Sequence, residues 1–148
     1  MRQRLGAVPI LALATVVAVQ GEASQAPFVV RATVPPRVML EPVDAPARLH
    51  LSRADIERGY KDVAARYVVR QNTDRGWLLR LTPRLGITRQ VEVRGLSAPV
   101  VLHDEGVEVY QPRTTGPRPL AVEYRFLLRP DALPGSYELP IHVSASPL

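Results

Sequence analysis

The stretch "DALPGSYELPIHVSASPL", Asp131 to Leu148, decides the fold. Tyr137, Leu139, Ile141, Val143 and Ala145 take alternate positions, and Glu138, Pro140, His142, Ser144 and Ser146 lie between them. A repeat of two is that of a half-buried β-strand, whose successive side chains point to opposite faces. Pro134-Gly135 supplies the turn that starts it. The segment before it repeats the pattern: Leu120, Val122, Tyr124, Phe126 and Leu128 alternate with Ala121, Glu123, Arg125, Leu127 and Arg129. The two segments read as an antiparallel pair joined through "RPDALPG".

The same test finds further strands upstream. Phe28, Val30, Ala32 and Val34 alternate with Val29, Arg31 and Thr33, and Ala47, Leu49 and Leu51 alternate with Arg48 and His50. Ala65, Tyr67 and Val69 form a third set, after which "QNTDRG" turns the chain into Trp77, Leu79 and Leu81. Val91 and Val93 follow, and short apolar runs at 99–102 and 107–110 flank "HDEG". The count is about nine short strands separated by Pro, Gly, Asn and Asp. "SRADIERGY" is the exception, with Ser52 placed to cap a short helix, Asp55 three residues on and Gly59 to close it. Many short strands and no long amphipathic helix predict an all-β protein, an antiparallel β-sandwich of two sheets.

Arg2 and Arg4 precede an apolar run from Leu5 to Val19, followed by "GEASQA". This is the pattern of a secretory signal peptide over 1–26, with cleavage expected between Ala26 and Pro27. The run falls short of the roughly 20 residues a spanning helix needs, and no later segment reaches that length. The expectation is one domain over 27–148, exported to the periplasm, cell surface or medium, with no membrane span in the mature chain. The chain has no cysteine, so disulfides and thiolate metal sites are excluded and packing must carry the stability.

The formal net charge is +5, and every basic residue except Lys61 is arginine. Arg31, Arg48, Arg66, Arg70, Arg80, Arg94 and Arg125 fall on the polar positions of their strands, as do Glu92, Glu123 and Glu138. A solvated face of mixed charge is expected. Aromatic residues do not interleave with the cations as a single-stranded nucleic acid site requires, so no nucleic acid partner is expected. His50, His103 and His142 stand at no metal-ligand spacing, and "HDEG" lacks the oxygen pattern of a calcium loop. No G-x-S-x-G elbow, P-loop or dinucleotide glycine pattern occurs. The expectation is a protein without catalytic residues, cofactor or metal. Trp77 shares a face with Leu79 and Leu81 and is expected in the core.

"ALPGSY" resembles the corner between strands E and F of immunoglobulin-like sandwiches, in which a leucine, a turn and a tyrosine precede a core strand. The resemblance implies that Leu133, Gly135 and Tyr137 form a tyrosine corner, with the ring in the core and the hydroxyl returned to main chain. A wider resemblance rests on "FVVRATVPPRVML", "VVRQNTDRGWLLRL" and "GSYELPIHVSASPL". Together they resemble the small secreted immunoglobulin-like subunits of the spore coat protein U and chaperone–usher fimbrial group, although the cysteine pair usual there is absent. That resemblance implies a structural or assembly protein whose partners are other subunits or a periplasmic chaperone. The alternative is a monomeric periplasmic module that holds a ligand in loops at one end, such as "HDEGVEVYQPRTTGPRP". Pro35-Pro36 divides the first segment, so that a strand broken there is expected to switch sheets. Pro140 leaves a missing donor in the last strand, which predicts an unpaired edge near its middle. Phe28, Val30, Ala32 and Val34 then form the candidate strand-exchange segment, the alternative being that they pair within their own domain.

Overall fold

Alternation becomes structure wherever a partner edge exists. A computed structural model describes residues 30–148; the expected signal segment 1–26, the expected cut between Ala26 and Pro27, and Phe28 lie outside the described residues. All the strands belong to the body Val34–Leu148. They are β1 (Val38–Asp44), β2 (Arg48–Leu51), β3 (Tyr60–Gln71), β4 (Trp77–Pro83), β5 (Thr88–Arg94), β6 (Val100–Leu102), β7 (Val107–Gln111), β8 (Arg118–Leu128), β9 (Gly135–Glu138) and β10 (Ile141–Pro147). One helix, α1 (Arg53–Arg58), stands between β2 and β3.

Every pairing is antiparallel. The larger sheet runs β1-β3-β8-β5-β6, and opposite it lie the ladders β10-β4-β7 and β2-β9. The two smaller ladders are joined by Leu139-Pro140, which makes β9 and β10 one course of chain. The Leu139 N–H donates to the Ala47 carbonyl on one side, and the Pro140 carbonyl accepts from the Arg84 N–H on the other. Main-chain groups of successive strand residues point to opposite edges, so β2 and β4 flank the same strand from opposite sides, out of step along it.

The inward faces meet in one core. Leu49, Leu79, Leu81, Val91, Val93, Leu102, Tyr124 and Phe126 are fully buried. Each contributes roughly 1.5–3 kcal/mol of apolar burial, before the entropy of ordering is subtracted. Tyr124 lies over Phe126 with ring centroids 5.8 Å apart, and its hydroxyl shares a hydrogen bond of 3.2 Å with that of Tyr67. Burial, and then this bond, push the Tyr124 hydroxyl far above the ordinary phenol range. Trp77 is 4% exposed and lies in the core, as its face-mates require.

Three expectations need correction. First, Val30 and Val34 are 75% and 74% exposed, and Val30, Ala32 and Val34 stand outside any strand. Period two says which face a strand buries, but a strand forms only against a partner. Second, β8 and the β9–β10 course are not a hairpin. β8 pairs with β3 and β5, whereas β9 pairs with β2 and β10 with β4, so residues 129–134 carry the chain from one sheet to the other. A strand that faces its predecessor across the core has the same alternation as one that lies beside it. Third, the early crossing between sheets falls after Asp44, in "APA", and not at Pro35-Pro36. There Asn72 receives the incoming chain: its side-chain amide accepts from the Arg37 N–H and donates to the Pro35 carbonyl.

The helix follows its sequence signals closely. Ser52 Oγ accepts from the Asp55 N–H, Asp55 Oδ2 accepts from the Ser52 N–H at 2.9 Å, and Gly59 closes the turn at φ +80°. Asp55 is buried, and Lys61 Nζ reaches it at 3.0 Å, with Arg58 also bound. The Ser52 main-chain and hydroxyl donors, more than Lys61, hold the Asp55 carboxyl far below the ordinary carboxylate value. A depressed folded pKa contributes stability above the unfolded value near ~3.9, and that contribution is lost as pH falls through the folded value. Asp55→Asn is therefore expected to cost about 1–2 kcal/mol in urea unfolding at neutral pH. The gap from the parent should narrow as the pH drops below about 4. A gap that is constant with pH would contradict this role.

Candidate functional site

Two places in the sandwich are left open by the described residues. The first is the flank of β10. Among the described residues β10 pairs only with β4, from Ile141↔Pro83 to Pro147↔Trp77, and β2 covers the joint strand no further than Leu139. Because Pro140 points its carbonyl at Arg84, the alternation turns His142 and Ser144 toward β4 and turns Val143 and Ala145 toward the open flank. Behind that flank the core is half-covered. Val143 and Ala145 of β10, and Val38 and Leu40 of the neighbouring β1, pack against it without full burial. β1 is itself an edge, so two edge strands of different sheets run alongside with no ladder between them.

Prolines bound this flank. Pro147 has no N–H to offer on the open side. The missing donor of Pro140 faces β4, where the Arg84 carbonyl accepts from Gly86 instead. Pro140 was expected to mark the unpaired edge; the strand does have one, but on the opposite side from that missing donor. Proline and short length are the usual means of limiting edge pairing.

The second place is a cavity of about 470 Å³ at the Trp77 end of the sandwich. Val69, Trp77, Leu96 and Leu120 give it apolar walls, and Gln111, Thr114 and Arg118 bring polar groups. Two glycines shape it. Gly76 (φ +94°) and Gly95 (φ +90°) hold left-handed turns, and a Cβ on either would strike the main-chain carbonyl of Gln111 or Ala121, respectively. Gln71 Nε2 donates to Thr114 Oγ1 at 3.0 Å and fastens the 112–117 loop to β3. Gln111 points inward with Val107 and Val109, and its Nε2 is buried without a hydrogen-bond partner.

Most of the outward arginines carry acids beside them, while Arg48 bonds Ser136 instead. Arg66 meets Asp44 at 2.7 Å, Arg70 meets Glu41 at 3.2 Å and Arg94 meets Glu92 at 3.3 Å. Arg125 forks onto Asp62 at 2.8 and 3.0 Å and stacks over the Tyr60 ring at 4.5 Å, with Arg58 over the same ring at 5.0 Å. The bond to Arg125 holds the Asp62 carboxyl below its ordinary range. Exposed pairs of this kind contribute about 0–1 kcal/mol each. Their arrangement is a solvated mixed-charge face rather than a row of free cations. His50, His103 and His142 are exposed, and no cluster of metal-ligating side chains occurs among the described residues. Among those residues no helix is long and apolar enough to cross a membrane.

The Tyr137 hydroxyl donates to the Leu133 carbonyl at 2.8 Å, across the turn that contains Gly135. Its ring is half-buried at the margin of the core, and Leu133 is exposed. Gln111 was missed in sequence, although its signal was present: it holds the inward parity of Val107 and Val109 one step past the last apolar residue. Comparisons with family models, with curated proteins and with solved structures found no match to this chain.

Tyr137→Phe removes a bond whose acceptor water can reach. The expected loss is about 0.5–1 kcal/mol in denaturant unfolding, smaller than for a buried bond. An unchanged midpoint would mean that the hydroxyl adds nothing to the turn.

Proposed function

We propose that the chain is an exported structural or assembly protein, a subunit-like immunoglobulin-like sandwich that works through protein–protein contacts at strand edges. The observation that carries this reading is the open flank of β10 over a half-covered core. Val143 and Ala145 present unpaired main-chain groups there, and apolar side chains beside them stay partly in water. An added strand would satisfy both needs at once, since ladder bonds supply affinity and alternate side chains fill the space behind.

A segment fit for that place is present in the same sequence. Phe28, Val30, Ala32 and Val34 alternate over a length equal to that of Ile141–Pro147, and Val30 to Val34 are exposed. In this reading the segment of one copy adds to β10 of the next. The immunoglobulin-like assignment draws support from the Tyr137–Leu133 bond beside the connection between sheets. Export rests on the pattern of 1–26 alone.

Ala145→Pro tests the edge. It removes an N–H that faces the open flank and leaves the β4 ladder intact, a position where proline is tolerated. The mature protein should form concentration-dependent oligomers in sedimentation, and Ala145→Pro should stay folded and run as a monomer. Removal of 27–34 should do the same. A mature protein that is monomeric at every concentration, or oligomers unchanged in both variants, would overturn the reading.

A further inference from the structure

The cavity at the Trp77 end has features that packing alone does not account for. A buried amide nitrogen with no acceptor costs about 1–3 kcal/mol, which turning the amide toward an acceptor in the cavity that its side chain lines would relieve. Gln111 Nε2 is such an atom. The backbone around it is fixed in place: Gly76 and Gly95 hold left-handed turns that exclude a Cβ on either side, and Gln71 ties down the loop that bears Thr114. Arg118 lines the same cavity, and with Arg113 it lines an adjoining cleft at the mouth. Neither arginine has a carboxylate within ion-pair distance among the described residues, unlike Arg66, Arg70, Arg94 and Arg125 on the sheet face.

The polar groups at Gln111 and Arg118 are donors in search of oxygen, and the walls between them are apolar. We infer that this cavity binds a single-chain amphipathic carboxylate, with its apolar body against Trp77, Leu96 and Leu120 and its carboxylate between Gln111 and Arg118. A volume of about 470 Å³ lies within the range of small-molecule sites, which run from roughly 300 to 1,000 Å³. One adjustment completes the site. The terminal amide of Gln111 rotates about χ3, a torsion with broad wells, to bring Nε2 onto a ligand oxygen. A guanidinium and an amide N–H together match the two oxygens of one carboxylate, and the charge-assisted bond to Arg118 gives most of the head-group selectivity. The inference is independent of the edge-strand reading, since the cavity and the β10 flank use different residues.

The chain's single tryptophan lies in the wall of this cavity, so binding can be read directly. Decanoate titrated into the folded mature protein should change Trp77 emission saturably, and 1-decanol should bind at least about tenfold more weakly, the equivalent of one lost charge-assisted bond. Arg118→Gln alters an exposed side chain. It should leave the melting curve in place, weaken decanoate by about tenfold and leave 1-decanol unchanged. Gln111→Leu, if it folds, should weaken decanoate and raise stability, because the unpaired amide is gone. Equal affinities for decanoate and 1-decanol would overturn the inference, as would decanoate binding that is indifferent to Arg118→Gln. Trp77 emission that does not respond to decanoate while the protein remains folded would overturn it as well.

Discussion

Leu139 and Pro140 set the plan of the second sheet. The Leu139 N–H faces Ala47 and the Pro140 carbonyl faces Arg84, so a single course of chain has β2 on one side of its first half and β4 on the other side of its second. The open flank of β10 is a consequence of that offset. To cover it, β2 would have to begin earlier, but the residues before Arg48 are crossing from β1 in the other sheet, and Pro46 among them has no N–H to donate. An early crossing on one side and a late switch on the other leave the same stretch of strand without a neighbour among the described residues.

Stability elsewhere follows from the inward parity of the strands. Tyr124 and Phe126 on β8 hold the centre of the larger sheet, and Leu79 and Leu81 on β4 hold the centre of the smaller. Edges are limited by other means: β6 has three residues, β1 is interrupted by a register shift at Pro42, and β10 ends on Pro147. The mixed charges of the outer face contribute solubility more than stability, since each pair is exposed.

Local rules were legible in the sequence, and non-local ones were not. Ser52, Asp55 and Gly59 announce the helix because a capping box needs only neighbours. Leu49, Tyr67, Trp77 and Val91 announce inward faces because parity is a property of one strand. The partner of β8 could not be read, because Leu120 to Leu128 alternate in the same way whether the next strand lies beside them or across the core. The segment from Val30 to Val34 has the pattern of a strand and none of the pairing. Of the two candidate sites, the open flank was foreshadowed by Pro140, though by a donor missing on the opposite side. The cavity could not be foreseen, because it is made where 69, 77, 95, 111 and 118 converge from four strands and a turn.

The open flank can be measured amide by amide. In hydrogen–deuterium exchange on dilute, monomeric protein spanning residues 27–148, the His142 and Ser144 N–H groups, which face β4, should exchange slowly, and those of Val143 and Ala145, one residue away on the same strand, should exchange fast. Raising the concentration until the protein assembles should slow Val143 and Ala145 and leave His142 and Ser144 as they were. Protection of Val143 and Ala145 already in the dilute monomer would mean that the chain closes its own edge and would contradict the account.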